Sequence, residues 1–135
     1  MKTYLTLFLI ATIFFAGCKK DKNEDGNPIG TWELRHVNGG QIPGAPSDFK
    51  AGNGEIVQFT PTNMKIFSSG KLMSDRKYSI VKKETVVNRD KVSYQLLFDA
   101  DPHVIDTYFK IAGGKLTIYL GIIAADGVES TYAKQ

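Results

Sequence analysis

Few residues in this chain have the types and spacing that chemistry needs. Cys18 is the sole thiol and directly follows Phe15-Ala16-Gly17, the small-residue end of an apolar run. The one cluster of metal-type ligands is Asp99, Asp101, His103 and Asp106. Oxygen-rich loops hold calcium, and histidine with carboxylates holds zinc. The spacing here fits neither motif, and aspartates capping backbone N–H groups in a turn account for it. His36 sits beside Arg35 with no nucleophile or carboxylate placed by the sequence to work with it. No serine lies in a nucleophile elbow. Gly39-Gly40 and Gly113-Gly114 precede no helix, so they read as turn glycines and not as a phosphate cradle. The expectation is therefore a protein with no metal site, no cofactor and no catalytic set, and not an enzyme.

The stretch around Cys18 has a different use. Lys2 supplies a positive start, and residues 5–15 form an almost unbroken apolar run. That run is shorter than the roughly 20 residues of a membrane span. A charged start, apolar middle and small-residue end describe a removable signal. Phe15-Ala16-Gly17-Cys18 resembles a bacterial lipobox, although Leu is commoner where Phe15 stands. The resemblance implies cleavage before Cys18, with residues 1–17 as signal peptide. Cys18 then carries a diacylglyceryl thioether and an amide-linked acyl chain. Each buried methylene contributes about 0.8 kcal/mol, so several chains anchor stably. No disulfide is possible within a chain holding one cysteine.

Residues 19–27 read KKDKNEDGN, with three lysines, three acidic residues and nothing apolar to bury. With Cys18 they form a flexible tether over 18–27. A lysine- and acid-rich segment after the cysteine resembles lipoproteins of the Bacteroidetes, and Lys19 in the second mature position resembles proteins sent to the outer membrane. The implied partner is a membrane, reached through the lipid anchor at Cys18, on either the periplasmic or the outer side.

Residues 28–135 make one domain, large enough for a single core. From Cys18 onward sixteen basic side chains face fourteen acidic ones, a net of +2. That balance leaves no footprint for nucleic acid. Short apolar-periodic runs alternate with turn signals throughout, the pattern of a sandwich or barrel. Strands are expected at 31–37, 55–60, 64–68, 71–83, 85–87, 92–99, 104–111, 115–120 and 128–134. The Gly/Pro-rich stretch 38–54 is irregular, with one helical turn expected near 46–50. Asn88-Arg89-Asp90-Lys91 reads as a hairpin tip, and Asp126-Gly127 is a second hairpin signal. Eight or nine antiparallel strands joined by short hairpins favour an all-β, up-and-down barrel over a two-sheet sandwich, because closure removes the exposed edges.

Gly30-Thr31-Trp32 on the first strand resembles the Gly-x-Trp signature of lipocalins. Gly70-Lys71, Tyr78-Ser79-Ile80, and 121–127 with Thr131-Tyr132 are similar to the small lipocalin-like lipoproteins of the Bacteroidetes. The resemblance covers 29–134. It implies that Trp32 closes the barrel base, that the 38–54 loop lies over an open mouth, and that Lys134 stands where lipocalins carry a late arginine. The long C-terminal helix of that family is absent.

The expected interior face is Trp32, Val57, Phe59, Ile66, Tyr78, Ile80, Tyr94, Leu96, Leu116, Ile118 and Tyr132. In a lipocalin these positions line a pocket for a small, largely apolar ligand. The face of 104–111 stays ambiguous, because Ile105, Phe109 and Ile111 oppose Val104 and Tyr108. The alternative is the same barrel with a filled core, acting as a cell-envelope interaction module through exposed residues such as Phe67. An interior cavity of about 300 Å³ or more separates the first reading from the second.

Overall fold

The computed structural model describes residues 25–40, 45–99 and 105–135. The signal and lipidation positions, including Cys18, lie outside the described residues, as do Asp101 and His103.

Eight strands form: β1 (Gly30–Gly39), β2 (Ile56–Phe59), β3 (Asn63–Ser68), β4 (Lys71–Val87), β5 (Asp90–Phe98), β6 (Thr107–Ala112), β7 (Lys115–Leu120) and β8 (Val128–Lys134). Each pairs antiparallel with its sequence neighbour, and β8 returns to β1, so the sheet closes into an up-and-down barrel. The turns explain the easy succession of hairpins. Ser69-Gly70, Asn88-Arg89 and Gly113-Gly114 each hold two successive residues at positive φ. Two-residue turns of that kind match the right-handed twist of the strands they join. Asn88-Arg89 adopts it without a glycine, at φ 50° and 79°.

Three expectations need correction. The helical turn near 46–50 does not form. That segment instead runs along β1, where Val37 N–H donates to Ser47 O at 2.8 Å and Phe49 N–H to Arg35 O at 2.9 Å. β1 outruns the four-residue β2, and the loop supplies partners to the edge left over. The strands expected at 71–83 and 85–87 are one element, because a bulge between Lys82 and Thr85 bends β4 without breaking it. Phe67 is half-buried, not exposed. The Asp126-Gly127 signal is a turn, but a short 3-10 turn (Ile123–Ala125) precedes it, and Asp126 caps that turn at φ 61°.

Alternation along the strands builds the main core from Trp32, Val57, Phe59, Met64, Leu96, Phe109, Ile111 and Leu116. Burying each such side chain contributes roughly 1.5–3 kcal/mol. The ambiguous sixth strand is settled by this: Phe109 and Ile111 point inward, and Tyr108 points out. Tyr108 is nonetheless buried, at 7% exposure. The bent end of the β4–β5 hairpin crosses the outer face of β6 and β7, packing Val87 and Val92 against Tyr108 and Tyr119. Tyr119 Oη donates to Asp90 at 2.7 Å, and Ile123 N–H donates to Asn88 Oδ1 at 3.0 Å. The hairpin is thus tied down at its tip and forms a second small core outside the barrel.

The outer face of β1 also buries a charge. Glu33 is 2% exposed. Its carboxylate accepts N–H bonds from Gly52 at 3.0 Å and Gly54 at 3.4 Å, and pairs with Arg35 at 2.6 Å. The Gly52 amide and the Arg35 guanidinium hold its pKa down from 4.5 to about 2.

Two outcomes follow. Val92→Ala removes two methyls from the outer core and is expected to cost about 2 kcal/mol in denaturant unfolding, through loss of hairpin docking. A carboxyl with its folded pKa below its unfolded one stabilises the fold above pH 4.5, and loses that contribution as pH falls toward 2. Glu33→Gln is therefore expected to be less stable than wild type at pH 7, with the difference shrinking across that acid range in thermal melts.

Candidate functional site: a cavity at one end of the barrel

The two ends of the barrel differ. One is stopped. Trp32 is 2% exposed and pairs with Val57 on one side and Lys134 on the other. Its Nε1–H donates to Pro28 O at 2.7 Å, a partner the sequence did not name. Pro28 is itself fully buried. The chain before β1 crosses this end: Asp25 N–H donates to Ile111 O at 3.3 Å, and a Cβ on Gly26 would lie 2.6 Å from the Tyr94 ring. Lys134 Nζ stands 5.5 Å from the indole centre. It occupies the place expected for a cation over the tryptophan. Gly30 begins the strand at φ 137°, a backbone state that glycine adopts without strain.

Tyr94 stacks on Phe109 at 5.5 Å, and Tyr78 meets Phe59 edge-on at 5.3 Å. Tyr78 Oη donates to Thr60 O at 2.7 Å, so this hydroxyl is satisfied within the fold. Among the expected interior residues, Trp32, Phe59, Tyr78, Ile80, Tyr94, Leu96 and Leu116 belong to this packed part.

The other end is hollow. A cavity of about 390 Å³ is lined by Val57, Met64, Ile66, Arg76, Phe98, Ile105, Thr107, Ile118, Leu120, Val128, Ser130 and Tyr132. Its wall is mainly apolar. Four expected interior residues are here: Val57, Ile66, Ile118 and Tyr132. Most of the lining residues that were not expected continue the same alternation by one step. Met64 precedes Ile66, Phe98 follows Leu96, Leu120 follows Ile118, and Val128 and Ser130 precede Tyr132. Arg76 shares the inward face with Tyr78, and its charge hid it from a search for apolar residues. Burial pushes the Tyr132 hydroxyl pKa up, so it stays a neutral donor. Ile66, Ile105 and Leu120 are also 39%, 57% and 41% exposed, so the cavity has an apolar rim.

A larger crevice, about 750 Å³, follows the bent β4–β5 hairpin. Lys82, Glu84, Lys91 and Ser93 make much of its wall, and one hairpin supplies all of its lining. It lacks the convergent walls of a small-molecule site.

Two of the remaining candidates, His36 and Asp106, are paired within the fold. His36 Nδ1 lies 2.8 Å from Asp48, with both side chains exposed, where the loop joins β1. Asp106 accepts from Gln95 Nε2 at 2.9 Å. Among the described residues no group of three or more His, Cys, Asp or Glu could hold a metal ion.

Trp32→Phe keeps most of the apolar contact but leaves the buried Pro28 carbonyl without its donor. The expected cost is about 1–3 kcal/mol in chemical denaturation. Loss within error would show that the indole N–H bond does not hold the closed end.

Compared with known proteins, the chain matches no family model, no curated protein and no solved structure.

Proposed function

We propose that this chain is a lipid-anchored, lipocalin-like lipoprotein of the Bacteroidetes type that holds a small, largely apolar molecule inside its barrel. The observation that carries the reading is the cavity of about 390 Å³ at one end of a closed eight-stranded sheet whose other end Trp32 stops. Ligand cavities are concave and mostly apolar, with a few polar groups to orient the guest. Thr107, Ser130 and Tyr132 supply hydroxyls on such a wall. Binding is apolar burial at roughly 25 cal/mol per Å², offset by immobilising the ligand.

The anchor belongs to the same proposal. Cys18, after Phe15-Ala16-Gly17, is the acylated residue, and the outer membrane is its destination. The described chain begins at Asp25, against Ile111 at the closed end. A tether arriving there leaves the cavity end clear of the attachment point.

An interaction module that works through the outside of the barrel is the second reading. It draws on Leu72 and Met73, which are 53% and 66% exposed on the β3–β4 hairpin. Native mass spectrometry after gentle extraction from its own cells separates the two. A co-purifying small molecule supports the first reading, and a bound protein with no small molecule overturns it. For the cavity itself, the small neutral fluorophore 1-aminonaphthalene is expected to bind the mature protein. Ile118→Trp, which fills the space, is expected to weaken that binding at least about tenfold while the fold is retained. Equal binding by both proteins would place the fluorophore elsewhere and remove the support for an interior site.

A further inference from the structure

We propose that the cavity selects a single-chain amphiphile with a carboxylate head, and that Arg76 is the residue that reads the head. This rests on the cavity reading above and narrows it to a ligand class.

Arg76 is the one charged side chain among the described lining residues. It sits on β4 opposite Met64 in the β3–β4 pairing, on the same face as Tyr78. Its guanidinium carbon lies 4.6 Å from the centre of the Phe98 ring, itself a lining residue. Stacking on an aromatic face sets the plane of the guanidinium, and a planar fork matches a carboxylate with two parallel hydrogen bonds. Arg76 takes part in a further interaction besides this ring contact. A guanidinium has five N–H donors on its two edges, more than one partner fills, and the proposal requires that one edge be offered to the cavity.

The rest of the wall suits an alkyl chain. Val57, Met64, Ile66 and Ile118 offer aliphatic surface with no second charge among the described residues. Size sets the chain length. At roughly 30 Å³ per heavy atom, the share of one water in the liquid, the cavity holds about a dozen heavy atoms. Decanoate has that number. A neutral molecule of equal length gains the same apolar burial and lacks the charge-assisted bonds.

The test compares decanoate with 1-decanol by calorimetric titration of the mature full-length protein near neutral pH. Wild type is expected to bind decanoate about 10- to 100-fold more tightly than decanol, the range for hydrogen bonds to a charged group. Arg76→Gln is expected to erase that preference while decanol affinity stays within about twofold. Arg76→Lys keeps the charge without the fork and is expected to retain part of the preference. Equal wild-type affinity for the two probes overturns the proposal without any variant. So does a preference that survives Arg76→Gln. Decanol binding without a decanoate preference leaves the cavity reading standing, and binding of neither probe overturns both.

Discussion

The structure depends on the first strand being paired along both edges. β1 pairs with β2 through Gly30–Glu33 and with β8 from Trp32 to Gly39, and its free edge beyond β2 is taken up by backbone groups of Ser47, Phe49 and Glu55. Without the β1–β8 register, eight consecutive strands make an open meander with two exposed edges, which natural sheets avoid. With it, the inward residues of all eight strands share one interior. The Leu34–His36 bulge lies within this seam and re-aims β1 where the loop joins it. The buried Glu33 sits at the same junction, its carboxylate clamped by two loop amides. Closure, loop docking and ion pairing therefore meet on one strand.

Closure creates an interior, and side-chain size decides how much of it is full. At the Trp32 end the large rings of Trp32, Phe59, Tyr94 and Phe109 meet, and the chain before β1 adds Pro28 and Gly26. Toward the other end the inward positions pass to Ile66, Thr107, Val128 and Ser130, which are smaller or carry hydroxyls. The taper leaves a hollow at one end with a rigid floor at the other. A cationic group on the wall of such a space acts in a lower dielectric than water, where its attraction for an anion is stronger. Dense packing and open space are in this way divided along the barrel axis.

The long β4–β5 hairpin adds a layer that a plain barrel lacks. Bent at its bulge, it lies over β6 and β7 and gives Tyr108 and Tyr119 an apolar cover on a face that would otherwise meet water. Around Tyr108 and Tyr119, β6 and β7 are consequently buried on both faces. That explains why Thr107–Ile111 carries Tyr108 and Phe109 side by side, which a one-sided strand would not.

The sequence by itself determined the all-β class, most strand positions and most of the inward face. The reason is physical: a side-chain period of two, with glycine and asparagine at the turns, is a local property that survives without knowledge of neighbours. Val57 with Phe59, Leu116 with Ile118, and Tyr132 are inward because their strands alternate. The closed barrel itself was expected from the run of short hairpins, but which β1 residues meet which β8 residues was not. Only the tertiary structure decided the Pro28 partner of Trp32, the path of residues 47–55 along β1, the folding of one hairpin over the barrel, and the placing of Arg76 in an apolar wall. Each of these is a meeting of residues distant in the chain or opposed to their usual burial. A bulge shifts parity by one residue, and closure brings strand ends together across the whole domain, so neither is written in any local window of the sequence.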